Sequence, residues 1–202
     1  MRAPLRPVFA MLALAVALAS APGAQAASIW SEVGDGDLSG NRLAPTALGA
    51  LAAGSSSVTA TSVAGDREYF SVVVPAGFQL DAIVLSAYSL ASGLSFVAVQ
   101  SGATFTEPSS GTNVANLLGW AHFGPGQVGT TILDDLGAGT GAQGFTPPLP
   151  AGTYTFWSQE VGSTAVTYTL DFQVSAVPEP GTAALLAFGL GALAARRRRP
   201  AR

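Results

Sequence analysis

The chain has 202 residues, with nine arginines, no lysine, twelve acidic residues, one histidine and no cysteine, for a formal net charge of −3. Without cysteine there is no disulfide framework, thiol nucleophile or Cys-based metal site, and a lone histidine, His122, rules out a multi-histidine metal centre or a pair of imidazoles for acid–base work. With no lysine there is no Schiff-base chemistry either, so the catalytic vocabulary is poor.

The first 26 residues read as an export signal. Arg2 and Arg6 make a positive start, and Val8 to Ala19 is an apolar stretch. Ala24-Gln25-Ala26 is a small-x-small cleavage site for signal peptidase, so the mature chain is expected to begin at Ala27. The central body, 27–176, is roughly 150 residues, enough for one domain with its own core. It keeps only Arg42 and Arg67 against eleven acidic residues, a net charge of −9. Such a surface repels nucleic acid and anionic lipid, which need cationic contacts. It permits divalent cations or neutral sugars as ligands, and it equally serves to keep an exported domain soluble.

Near the start of the body, Asp35-Gly36-Asp37-Leu38-Ser39-Gly40-Asn41 places oxygen side chains at alternate positions of a glycine-rich loop. Asp35, Asp37, Ser39 and Asn41 are therefore candidate calcium ligands, and Glu32 offers a further carboxylate. Position 46 is Thr46, so the bidentate glutamate that closes a twelve-residue calcium loop is missing, and a plain polar turn reads as well. The segment Leu43–Ala53 is either an edge strand or, at most, a turn of helix.

From there on the pattern is β. Phe70, Val72 and Val74 alternate with polar or neutral neighbours before Pro75-Ala76-Gly77. Leu80–Tyr88, Leu94–Gln100, Leu117–Phe123 and Thr130–Leu133 follow as candidate strands. Another is led by Tyr154 and Phe156 after Pro150-Ala151-Gly152. The clearest is Val166, Tyr168, Leu170, Phe172 and Val174, one apolar face of a period-2 strand. Gly77 and Gly152 read as turn glycines that take positive φ and feed the next strand. Short β runs spaced by Gly, Pro and Ser predict an all-β fold, a jelly-roll-like antiparallel β-sandwich. The segments Gly102–Asn113 and Gly137–Pro150 are expected as long loops.

Three sets of side chains invite a chemical reading. Trp120 and His122 share a face if Leu117–Phe123 is a strand. Trp120 and Trp157 are candidate platforms for a sugar, although core packing with a satisfied indole N–H is the commoner fate of a tryptophan. Asp134-Asp135 brings two carboxylates together, but neighbours on a strand point to opposite faces and cannot flank one glycosidic bond. No catalytic residue is assigned, and the body is expected not to be an enzyme.

The chain closes with Val177-Pro178-Glu179-Pro180, an apolar run to Ala195 and Arg196-Arg197-Arg198-Arg199. The fourteen uncharged residues from Thr182 to Ala195 would form a transmembrane-like helix of roughly 21 Å, short of a ~30 Å hydrocarbon core. That suits a transient hold in the inner membrane, with the arginines on the cytoplasmic side. Motif, apolar helix and arginine cluster in this order resemble the PEP-CTERM sorting signal of exopolysaccharide-producing Gram-negative bacteria. The resemblance implies recognition and processing near Pro178–Pro180 by an exosortase.

A second resemblance covers roughly Ser55–Val174. Asp66-Arg67-Glu68-Tyr69-Phe70 leading into Pro75-Ala76-Gly77, and Leu149-Pro150-Ala151-Gly152-Thr153-Tyr154 followed by Tyr168-Thr169-Leu170, look like the bacterial pre-peptidase C-terminal domain. That resemblance implies a calcium-associated jelly-roll sandwich with binding or tethering roles and no catalysis. The family's Asp-rich strand after the first hairpin has no counterpart, since Leu94–Gln100 carries no acid. The expectation is thus an exported, non-catalytic surface or matrix protein associated with exopolysaccharide or biofilm. The alternative is a carbohydrate- or calcium-binding module with a defined ligand site. Its partners would be signal peptidase, exosortase, the inner membrane transiently and exopolysaccharide, with no nucleic acid.

Overall fold

A computed structural model describes residues 26–178 and 181. Nine strands form two sheets: β1 (Ala27–Ser31), β2 (Thr46–Ala50), β3 (Gly54–Ser62), β4 (Arg67–Val74), β5 (Phe78–Tyr88), β6 (Ser95–Ser101), β7 (Gly119–Phe123), β8 (Gly152–Glu160) and β9 (Val166–Ala176). Two short α-helices, α1 (Glu32–Asp35) and α2 (Leu133–Gly137), and two single 3-10 turns, Val114–Asn116 and Pro125–Gln127, lie between them. The first sheet runs β1-β3-β9-β5 and the second β2-β4-β8-β6-β7. No helix among the described residues is long and apolar enough to cross a membrane. The helices expected at the two ends, together with Ala24, Glu179, Pro180 and Arg196 to Arg199, lie outside the described residues.

The alternation along β9 does what period 2 requires. Val166, Tyr168, Leu170, Phe172 and Val174 are buried, and they meet Phe70, Val72 and Val74 of β4 and Phe156 of β8 in one core between the sheets. Phe70 stacks on Phe156 at 5.3 Å, and Phe172 meets both rings edge-on. Each of these rings, fully buried, contributes about 1.5–3 kcal/mol by removal of apolar area from water.

Several expectations need correction. The sandwich is not wholly antiparallel: β1 runs parallel to β3, and β2 runs parallel to β4. Both are edge strands laid down by the N-terminal segment, which crosses from one sheet to the other without a hairpin. The ambiguous Leu43–Ala53 stretch supplies the second of them. Thr130–Leu133 makes only a single bridge, Thr131 to Val84, before the chain coils into α2. Asp134 and Asp135 therefore sit on that helix, both exposed, and not on a strand. Gly77 takes φ 80° in the turn between β4 and β5, as its role demands, but Gly152 opens β8 without positive φ.

One close approach fixes α2. A Cβ on Gly119 would lie 2.2 Å from the Leu136 carbonyl oxygen, so the helix rests directly on the β7 backbone. The long segment after β6 is also tied down, because Phe105 and Leu117 are buried against the outer face of the second sheet. Arg42 donates to the carbonyls of Phe105 and Thr106, and the Gln100 side chain donates to the Asn116 carbonyl and accepts from Thr106 N–H.

Candidate metal centre and aromatic face

Period 2 along β4 sends Phe70, Val72 and Val74 into the core, and Glu68 falls on the same side. Glu68 is the second residue of its strand, next to the Val63–Asp66 turn where the chain passes from β3 to β4. It is 0 % exposed, and neither carboxylate oxygen has a hydrogen-bond partner. A buried, unpartnered carboxylate costs several kcal/mol as an ion. Burial, with the charges of Glu32, Asp66 and Asp37 around it, pushes its pKa from 4.5 up to about 9.

The N-terminal segment brings the other members. Carboxylate oxygens of Glu32, Asp37 and Glu68 all lie within 4.8 Å of one another. Glu32 is held from both sides: its two oxygens accept from the backbone N–H of Leu38 and of Thr61. Burial raises its pKa against those backbone bonds. Asp66 stands beside the group, also with a raised pKa, from burial first and then from Asp37. Leu38, 2 % exposed, anchors the loop, and Tyr69 N–H donates to the Ser39 carbonyl at 2.9 Å, which docks the loop on β4.

Such a cluster is stable in two ways. A proton on Glu68 removes one negative charge from the cluster. A divalent cation would take the carboxylates as hard oxygen ligands and neutralise them together. The donor set of at least three carboxylates fits calcium, which completes six to eight ligands with backbone oxygens and water. Glu160 provides the contrast. It is equally buried, yet it accepts from Ser95 Oγ at 2.7 Å, Tyr88 Oη at 3.3 Å and Gly162 N–H at 2.7 Å. A structural carboxylate in this fold is satisfied by the protein; Glu68 is not.

Of the four predicted ligands, Asp37 is the one gathered into this cluster, with Glu32 beside it. Asp35 is not in a loop: it ends α1, and its Oδ2 accepts from Ser31 N–H at 2.8 Å. Ser39 Oγ donates to the Ala44 carbonyl at 2.7 Å, and Asn41 Oδ1 accepts from Leu43 N–H at 3.1 Å, so both shape the next turn. Glu68 was missed because a glutamate at the head of an apolar strand reads as a solvated strand end. The parity with Phe70 was the signal that it faces inward.

The other candidates lie on the outer face of the second sheet. Register pairs Ala98 with both Trp120 and Trp157, and Phe96 with both His122 and Gln159, so these side chains share one face. Trp157 is buried between Tyr69, Phe96 and Phe105, at ring distances of 6.0, 4.8 and 5.7 Å. Trp120 is partly exposed, stacks on Phe96 at 6.2 Å, and donates its indole N–H to the Thr140 carbonyl at 3.1 Å. Val97 and Val99, of opposite parity, face the core.

Comparison with known proteins touches the two parts of the chain differently. No curated protein matches. Among solved structures, the periplasmic inhibitor of g-type lysozyme from Aeromonas hydrophila, PliG, is similar at 14 % identity and a TM-score of 0.34, covering 64 % of this chain and 96 % of its own. The protein-sorting model matches at the C-terminus, on the motif whose first residues leave β9. Over residues 176–199 the chain carries a PEP-CTERM protein-sorting motif.

Proposed function

We propose that this chain is an exported, non-catalytic protein of the cell surface or extracellular matrix, cleaved by signal peptidase and then sorted and processed by an exosortase through its tail. The observation that carries the reading is the sorting motif at 176–199, directly after the last strand of a folded body. The tail serves as substrate for the processing enzyme while it pauses in the inner membrane, and the body is the cargo. An acidic sandwich with one histidine and no cysteine or lysine suits a structural or binding role in an exopolysaccharide-rich matrix. The order β3-β9-β5 over β4-β8-β6-β7, with the Thr131 bridge beside β5, supports a jelly-roll reading of the body. The pre-peptidase resemblance is supported by this architecture alone.

Deleting residues 177–202 tests the proposal. The truncated protein should leave the envelope fraction for the medium or periplasm, while the full chain stays with the envelope and shortens in a strain that has exosortase. Identical distribution of both forms would remove the sorting role.

A second reading is favoured by Glu68: the body is also a divalent-cation module. Glu32, Asp37 and Glu68 would hold calcium where the N-terminal segment meets the β3–β4 crossover. Millimolar calcium should raise the melting temperature, and Asp37→Ala should abolish the gain. No shift with calcium removes this reading and leaves the sorting proposal untouched.

A further inference from the structure

The outer face of the second sheet breaks the usual alternation. On a two-layer sandwich that face meets water and is polar. Here it carries Phe96, Trp120 and Trp157, and the long segment after β6 covers only part of them. Between sheet and segment lies a cavity of about 220 Å³, open to solvent, walled by these three rings, with Leu117 also in its lining. Thr112 and Gln159 add a hydroxyl and a carboxamide to the lining, which holds no ionisable side chain.

We infer that this cavity binds one residue of a neutral polysaccharide. Flat aromatic walls match the C–H faces of a pyranose ring, while hydroxyl and carboxamide groups match its equatorial oxygens. The volume is below the ~300–1,000 Å³ that encloses drug-sized ligands, which suits a single ring of a longer chain entering from solvent. The Trp120 ring is already oriented by its bond to Thr140, so stacking there loses little side-chain freedom. Trp157, 3 % exposed, contributes a buried wall to the cavity. The uncharged lining selects against a uronate or phosphorylated glycan, and so does the net charge of −9 on the body. The inference relies on the export reading only for the meeting with polysaccharide, and binding in vitro is independent of sorting, so the two can fail separately.

The test uses the full chain purified in an amine-oxide detergent, which has no sugar headgroup. Cellohexaose, mannohexaose and maltohexaose are titrated as neutral probes against an oligouronate of equal length, with calorimetry and tryptophan fluorescence as readouts. At least one neutral hexaose should bind saturably and the uronate should not. Trp120→Ala should weaken binding at least about tenfold, and Trp30→Phe should leave it unchanged. Val114→Phe, at a partly exposed position lining the cavity, should block binding with an unaltered melting temperature; it settles the matter if Trp120→Ala fails to fold. Absence of binding by all three hexaoses up to about 10 mM overturns the inference. So does equal binding by Val114→Phe, or tighter binding of the uronate.

Discussion

Replacing Glu68 by Gln should make the metal-free protein more stable at neutral pH, and the size of the gain follows from one buried proton. Glu68 titrates near 4.5 in the unfolded chain and at about 9 in the fold. Between those values the folded state binds a proton that the unfolded state has released, so stability must fall as pH rises. It is fully retained below pH 4.5 and lost progressively up to about 9. At pH 7 the loss is about 3 kcal/mol, from 2.5 pH units at 1.36 kcal/mol each. The glutamine carries no charge at any pH and keeps the shape of the protonated acid. In a chelator, Glu68→Gln should therefore melt roughly 6–12 °C above the wild type at pH 7, at 2–4 °C per kcal/mol, and within a few degrees of it at pH 4.5. Calcium should narrow the difference by stabilising only the wild type. Thermal unfolding by circular dichroism across pH 4.5–8.5, with and without calcium, reads all of this. A wild-type profile in chelator that stays flat from pH 5 to 8.5 would show that Glu68 is neither buried nor surrounded by charge as described.

Three further perturbations probe the frame around the sites. Gly119→Ala forces a Cβ into the Leu136 carbonyl and should cost about 1–3 kcal/mol or more, read as a lower urea midpoint with an unchanged slope. Phe105→Ala removes the ring that holds the long segment over Trp157 and should cost about 3–5 kcal/mol, with a red-shifted tryptophan emission as the indole meets water. An unshifted spectrum would mean that the segment is held by Arg42 and Gln100 alone. Asp35→Ala should leave any calcium response intact, because its carboxylate serves Ser31 N–H, whereas Asp37→Ala should remove it.

Much of the body could be read from period 2. The strands led by Phe70, Leu80, Tyr154 and Val166 have bulky inward residues that must meet a facing sheet, and they lie where that pattern put them. What could not be read is the strand without such residues. β3 presents Ser56, Val58, Ala60 and Ser62 inward, small side chains paired beside Phe172, Leu170, Tyr168 and Val166 of β9 that carry almost no hydrophobic signal of their own. The two parallel edge strands were hidden for a different reason: their partners are separated by more than twenty residues, and no turn chemistry announces the pairing. The acidic site was half legible. Asp37 and Glu32 stand out as local oxygen donors, while Glu68 joins them only through the packing of the N-terminal segment on the β3–β4 crossover. The aromatic face follows the same rule, since Trp120 and Trp157 are neighbours only through β6.

The most direct test of the account is the intact mass of the protein recovered from the envelope and medium of its native host. Export and sorting predict a chain that begins at Ala27 and ends within or close to Pro178–Pro180, absent from a strain without exosortase. Recovery of the 202-residue chain, uncut at both ends and confined to the cytosol, would contradict it.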